Sequence, residues 1–466
     1  MPASLAAAIG ALQNWYNSDL GLYNWDDPNL PWWITVADAA KAVAGLLSIN
    51  MDDFRARYPV AERWWNSANA IAALIDYMST TGDKTYLSVV DNTFSKAQGT
   101  YTVIIDSQIN LPSPPFGPGG SIPTSAHKEQ YTNFLNRHYD DEGWWALTWI
   151  KAYDLTLDPK YLDMAVIIGT DMAAGWDSTF NGGIYWEEDH KGPSGESPYK
   201  NAIANELFMA VAARLYLRTK DATWKTWALK EYEWFINSGL IWGTGSSWGT
   251  FPKIQTFDSE AKYLINDSLN TGRDNAALSG INDGTQWLWT YNHGVILRAL
   301  CDLSIILGDP APRSLAENIA NAAIIIFSST GTPAGNLIEP HFDPTSVDTC
   351  QFKGVFIRNL AALYANDHNS AYNTFIANNA ASVLANGYPA SQFGAIWSSP
   401  PDAVDFVRQT AAIDALNAAN RVLIADKPIS LKSTLALVGQ KPSAGVRAAI
   451  GGLTSSVRDW VLAVTT

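Results

Sequence analysis

The chain predicts an all-α fold, an (α/α)6 toroid or barrel of six helical hairpins. Three observations point to it. Helical patterns dominate, with apolar residues recurring at i, i+3, i+4 and i+7. Five connections between them are short and share one chemistry. The other connections are long, rich in Gly, Pro, Ser, Asn and aromatics, and alternate with the short ones. In antiparallel hairpins that alternation gathers the short turns at one end and the long loops at the other.

The elements follow in order. Leu5, Ile9, Leu12 and Tyr16 keep helical spacing, so the first residues read as a helix of the fold; they carry no basic n-region or clear cleavage site. A second segment lies near Val36. Helices are then expected over 65–79, 86–96, 142–155, 161–173, 202–216, 224–237, 291–307, 313–327, 352–365, 371–384 and 403–423.

The short turns are TTGDKTY at 80–86, TLDPKY at 156–161, TKDATW at 219–224, LGDPAPR at 307–313 and ANDHNSAY at 365–372. Each places an Asp (Asp83, Asp158, Asp221, Asp309, Asp367) where it can cap the next helix. Pro159 and Pro310 suit first helical positions. The long loops are 107–139, 174–200, 239–289, 328–350 and 385–402. No linker with a shift in composition divides the chain, so 1–466 is expected to be one catalytic domain.

Composition narrows the function. The formal net charge of -14 argues against nucleic acid, whose phosphates require a basic face, and against anionic membranes. No stretch approaches the roughly 18–20 continuous apolar residues that span a bilayer. Charged residues are only 16% of the chain, and Asn, Ser, Thr and Gly supply the polarity, as in extracellular proteins. Most of the 20 tryptophans are expected in the core, but a flat indole face with one N–H donor also stacks on a sugar ring. Cys301 and Cys350 give no disulfide framework; one bridge or two free thiols are both compatible with the sequence.

Polar and aromatic clusters lie at the starts of alternate helices, where the long loops arrive. They are RWWNSAN at 63–69, YDDEGWW at 139–145, YKNAIANE at 199–206, DGTQWLWTYNHG at 283–294 and QFKGVF at 351–356. The densest charge, Asp140-Asp141-Glu142, runs directly into Trp144–Trp145. A helix cap accounts for one of the two aspartates. A catalytic carboxylate pair accounts for both. Retaining glycosidases hold two carboxyl groups about 5–5.5 Å apart and inverting ones about 6.5–9.5 Å apart. Neighbouring Cα atoms are about 3.8 Å apart, so two short side chains reach the retaining distance more easily. Aromatic desolvation and a like charge would keep one carboxyl protonated, while the positive end of the helix favours an ionised partner. Glu142 reads as a first-turn dipole residue. The acidic run at 187–190 reads as a solvated loop, since consecutive side chains do not match metal-ligand spacing. His138 and His293 read as hydrogen-bonding groups. Asn266-Asp267-Ser268 matches a glycosylation acceptor and is weak alone.

The string YDDEGWWALTWIKAYDLT at 139–156 resembles the signature of glycoside hydrolase family 76, the endo-α-1,6-mannanases. WWNSANAI at 64–71, GGIYW at 182–186, KNAIANELF at 200–208, TYNHGVILRAL at 290–300 and QFKGVFIRNL at 351–360 are similar to that family in the same order. The resemblance implies an (α/α)6 barrel, retaining hydrolysis of α-1,6-linked mannan or mannooligosaccharides, no cofactor and no metal. It implies Asp140 as nucleophile and Asp141 as general acid/base. Asn66, Asp283, Tyr291 and Asn292 are the expected polar sugar contacts; Trp144, Trp186 and Trp397 are the expected stacking platforms. A polymeric substrate implies a secreted enzyme. The tail shows no anchor signal, which favours a soluble hydrolase over the related anchored transglycosylases.

Three other readings fit parts of the sequence. A transglycosylase would share the covalent intermediate and pass it to a sugar. A non-catalytic mannan-binding protein would keep the tryptophans without needing both aspartates. A terpenoid synthase would need a further carboxylate after the pair, at a position where Trp144 stands.

Overall fold

The computed structural model describes residues 2–19, 21–23, 64–98, 101–105, 127–192, 198–242, 262–270, 288–344, 346–388 and 391–425. Twelve α-helices run through them: α1 Pro2–Leu12, α2 Trp64–Thr81, α3 Leu87–Ala97, α4 Tyr139–Thr156, α5 Pro159–Ala174, α6 Ala202–Thr219, α7 Ala222–Asn237, α8 Thr290–Leu307, α9 Ala311–Phe327, α10 Val347–Asp367, α11 Ser370–Asn386 and α12 Phe406–Ala425. The helices expected from 65 onward are all present. The segment near Val36 and the residue Asp283 lie outside the described residues. Three two-stranded antiparallel ribbons are added: β1 Tyr16–Asn17 with β2 Leu22–Tyr23, β3 Tyr101–Ile105 with β4 His127–Tyr131, and β5 Tyr199–Asn201 with β6 Ser268–Asn270.

The even-numbered helices form an inner ring and the odd-numbered ones pack outside it. Burial separates the two sets: fifteen of the eighteen residues of α6 are buried, against five of the sixteen of α7. A helix buried all round cannot be strongly one-sided, and α6 is built from Ala, Leu, Met and Val on every face. The ring closes through specific contacts. Thr148 Oγ1 of α4 donates to the Ala68 carbonyl of α2 at 3.0 Å. Arg214 of α6 meets Asp302 of α8 at 3.1 Å. Arg358 of α10 meets Asp414 of α12 at 3.2 Å, and Asn417 Nδ2 of α12 returns to the Ala73 carbonyl of α2 at 3.0 Å. Gly294 lets α8 and α10 approach, since a Cβ there would stand 2.7 Å from Phe356 Cα. Gly354 does the same for α10 and α12 against Ala411 Cα, also 2.7 Å.

Five hairpins are sequential. The sixth pair joins the ends of the chain instead: Gln409 Nε2 of α12 donates to the Ala8 carbonyl of α1 at 2.9 Å. The five short turns share a device. Gly82, Leu157, Lys220, Gly308 and His368 are each left-handed, with φ between 52° and 77°. Their N–H groups close the preceding helix, as in Leu157 N to Tyr153 O at 2.7 Å. Asp158 and Asp221 then cap the next helix through Lys160 N and Thr223 N. Asp309 accepts from Ala311 N, with Pro310 itself at the cap rather than in the first turn. Asp83 and Asp367 depart from the expectation. Asp83 holds Thr85 ahead of α3, and Asn369 caps α11 while Asp367 accepts from its N–H.

Residues Met1–Val422 form one compact unit and Leu423–Thr466 a second. All of the ring contacts above lie in the first. Cys301 and Cys350 are buried and free.

Candidate active site

Every long connection delivers the chain to the N-terminus of an inner helix, so the functional side chains converge there. α4 begins at Tyr139, with His138 at the cap. That is three residues earlier than periodicity indicated. Asp140 and Asp141 therefore sit within the first turn, where the helix dipole favours negative charge. Neither serves as the cap.

Each carboxylate has its own donor. Trp186 Nε1 donates to Asp140 Oδ2 at 2.9 Å, and Asp141 N–H donates to Asp140 Oδ1 at 3.0 Å. Asn136 Nδ2 donates to Asp141 Oδ2 at 2.7 Å. Burial pushes the Asp140 carboxyl up to about 7, against the two donors, with the charge of Asp348 adding to the rise.

Trp186 reaches Asp140 because its segment is laced to the start of α4. Tyr139 N–H donates to the Trp186 carbonyl at 2.9 Å, and Glu188 N–H to the Arg137 carbonyl at 2.9 Å. Behind it, the fully buried Lys200 ammonium gathers the preceding loop. Nζ lies 2.7 Å from Asp177, 2.9 Å from the Gly182 carbonyl and 2.8 Å from that of Gly183. The acidic run at 187–190 belongs to the same lacing. Glu187 pairs with Arg137 at 2.6 Å, and His190 stacks on Tyr185 with ring centres 3.7 Å apart.

A chain of aromatic contacts flanks the pair. Trp144 stacks under Trp65 (5.5 Å), Trp65 meets Phe352 (6.0 Å), and Phe352 stacks on Tyr291 (3.9 Å). Trp289 joins Phe352 at 5.5 Å. Asp348, in the first turn of α10, accepts from Trp65 Nε1 at 2.8 Å. Burial raises the Tyr291 phenol well above its usual range, and Asp267, Asp140 and Asp348 raise it further.

The predicted sugar contacts divide. Tyr291 and Trp186 are half-buried at the mouth, beside Asp140. Asn292 is 0% exposed and reaches Asp267 at 3.4 Å. Asn66 is 0% exposed and ties α2 to α10 through Gln351 Oε1 at 2.6 Å. Trp144 and Trp397 are each 3% exposed, the first covered by Trp65 and the second by the Lys353 ammonium, 4.4 Å from its ring. His293 has the expected hydrogen-bonding role: Nε2 accepts from Ile265 N–H at 2.9 Å, and Nδ1 faces the Trp289 carbonyl at 2.8 Å. Burial lowers its pKa to about 4.

Four residues of the site escaped the sequence reading: Trp65, Asn136, Asp267 and Asp348. Asp348 had a usable signal, an Asp in the first turn of an inner helix just ahead of a polar–aromatic cluster, as at Asp140. The glycosylation pattern conceals Asp267. Its Asn266 is fully buried and bonded to the Ser268 carbonyl, while Asp267 accepts from the Tyr199 hydroxyl at 3.0 Å. Among the described residues no group of three or more His, Cys, Asp or Glu side chains is placed to hold a metal ion. No described helix is long and apolar enough to cross a membrane.

Comparison with known proteins adds three findings. The sequence model of glycosyl hydrolase family 76 matches residues 36–434. The mannan endo-1,6-alpha-mannosidase DCW1 of Saccharomyces cerevisiae is 28% identical over 195 residues, 40% of this chain and 38% of that protein. Its counterpart in Eremothecium gossypii is 24% identical over 238 residues, 50% of this chain and 43% of that protein. The matches thus span less than half of these relatives. Among solved structures, the GH76A alpha-1,6-mannanase from Salegentibacter sp. HEL1_6 superposes with a TM-score of 0.64 at 20% identity, covering 90% of this chain and 99% of that one. An inactive variant of it, with two consecutive aspartates changed to asparagine, was solved with alpha-1,6-mannotriose. Dfg5 from Chaetomium thermophilum, solved with glucosamine, gives 0.55 at 19% identity over 79% of this chain and 83% of that one. These likenesses carry the helical toroid, and the match over most of the sequence carries the family: the chain belongs to glycosyl hydrolase family 76.

Proposed function

We propose that this chain is a retaining endo-α-1,6-mannanase, a secreted enzyme whose single catalytic domain cleaves α-1,6-linked mannan backbones. The observation that carries the reading is the adjacent pair Asp140–Asp141 at the positive end of α4, each carboxyl gripped by a separate donor. The mannan-endo-mannosidase names of the relatives, and the paired aspartates of the inactive mannanase variant, support it.

In this reading Asp140 is the nucleophile. The Trp186 indole and the Asp141 N–H stabilise its anion, and the anion prevails above about pH 7. Its carboxylate attacks the anomeric carbon as the glycosidic bond breaks. Asp141, oriented by Asn136, gives its proton to the departing oxygen. It then takes a proton from water, and the resulting hydroxide displaces Asp140 from the sugar, restoring both groups. Trp186, Tyr291 and the half-buried Trp65 form the exposed part of the aromatic wall and are the proposed contacts to the glycan; Asp267 and Asp348 are the proposed hydroxyl acceptors.

The test is incubation with linear α-1,6-mannooligosaccharides, with products sized by mass spectrometry. Shortened chains are expected. Products longer than the substrate would instead assign transfer to a sugar acceptor, and intact substrate with measurable binding would assign a non-catalytic mannan-binding role.

A further inference from the structure

Below the aromatic wall, inside the ring, lies a cavity of about 30 Å³ that the mechanism does not use. Its charged lining has one sign. Lys151 of α4, Arg214 of α6, Arg298 of α8 and Arg358 of α10 all face it, and among the described residues no carboxylate does. The neutral lining includes Asn69 and the underside of Trp144.

The counter-charges stand behind these cations. Asp76 pairs with Lys151 at 2.5 Å and also with Arg421 at 3.5 Å. Asp302 serves both Arg214 and Arg298, each at 3.1 Å. Asp414 serves Arg358 at 3.2 Å. Among the described residues the four lining cations and Arg421, whose side chain lies outside the cavity and is 35% exposed, share three carboxylates in this cluster. The neighbouring Arg218–Asp154 pair, at 2.5 Å, is balanced and leaves the excess in place. The field is felt within the cluster. Burial lowers the Lys151 ammonium to about 8, and repulsion from Arg358 and Arg214 contributes.

Uncompensated charge inside a protein is strongly disfavoured, so a cationic cavity of this kind calls for a mobile counter-ion. The volume suits about two waters or one small ion and excludes a sugar ring. N–H donors converging from four helices suit a weakly hydrated monovalent anion. We propose that this axial cavity binds a halide-class anion such as chloride, which completes the charge balance of the ring beneath Trp144.

The proposal is independent of the substrate assignment, because its test reads stability. The full chain would be moved into sodium gluconate and its thermal unfolding followed as chloride, bromide or sulfate replaces gluconate at constant ionic strength. Chloride and bromide should raise Tm saturably, by roughly 2 °C or more, and sulfate should not. Arg298→Gln, which leaves Arg214 to pair with Asp302, should lose that rise. Crystals grown in bromide should show an anomalous peak within the cavity, a readout that survives even if the variant fails to fold. Equal Tm in chloride and gluconate, a chloride response retained in Arg298→Gln, or a bromide-soaked cavity without an anomalous peak would overturn the proposal. A response to sulfate alone would overturn the halide assignment.

Discussion

The Asn136 side chain stands 2.7 Å from Asp141 Oδ2, and the Asn136 backbone is held by Glu142. Glu142 Oε1 accepts the Asn136 backbone N–H at 3.0 Å, and Asn136 Oδ1 accepts from His138 N–H at 2.8 Å. Glu142 is fully buried. Burial raises its pKa well above the usual carboxylate range, and the proximity of Asp171 adds to it. Its Oε2 is buried and has no hydrogen-bond partner among the described residues. Glu142 thus braces the backbone of the residue that orients Asp141, the proposed acid/base.

Removing this support should reduce turnover more than binding. Asn136→Ala is expected to lower kcat by roughly 10–100-fold with KM changed less than about threefold, because a positioned proton donor contributes roughly 10²–10⁴-fold in all. Steady-state kinetics on mannotetraose would check it. An equal loss in KM would instead mark Asn136 as a sugar contact.

The acid limb of kcat/KM should fall near pH 7, where Asp140 ionises. Trp186→Phe removes an N–H donor to the anion. Hydrogen bonds to charged groups are worth about 1.5–3 kcal/mol, so the limb should move up by about one to two pH units. A pH–rate profile of the two proteins measures this directly.

Stability should run the other way. Asp140, Asp414 and Glu339 are raised by burial to about 7, 7 and 8. Between about pH 4 and those values the folded chain holds protons that the unfolded chain has released. Stability therefore falls as pH rises through this window. Asp140→Asn cannot ionise and should be more stable than the wild type at pH 8, by about 2–4 kcal/mol, with little difference at pH 4. Thermal unfolding at the two pH values tests the sign.

Lys200→Met should unlace the loop that presents Trp186. Four oxygens lie around the buried Lys200 Nζ, and removing it leaves them without their donor. A loss of about 2–3 kcal/mol is expected, at the lower end for a buried pair because Asp177 is partly exposed. The acid limb should shift with it, as for Trp186→Phe. Denaturant unfolding and the same pH profile provide both readouts.

Much of this site was legible before the structure, for identifiable reasons. The helix pattern is a local signal, and so were the turn residues Asp158 and Asp221. The pair Asp140–Asp141 stood out because two adjacent charges against tryptophan have no purely local explanation. Glu142 does lie in the first turn of α4, but its burial was hidden, because an exposed and a buried first-turn Glu look identical in sequence. Trp144 and Trp397 looked like platforms because tryptophan type does not reveal which side of a ring is covered. The pairing of α1 with α12 was hidden by about 400 residues of separation, and Asp267 by a pattern with a different meaning.

The most direct test follows the anomeric configuration of the first product by NMR on α-1,6-mannotetraose, for the wild type, Asp140→Asn and Asp141→Asn. Initial release of α-configured product, lost in both variants, is the predicted result. Initial β-configured product would contradict the double displacement, and undiminished cleavage in either variant would remove that aspartate from the chemistry.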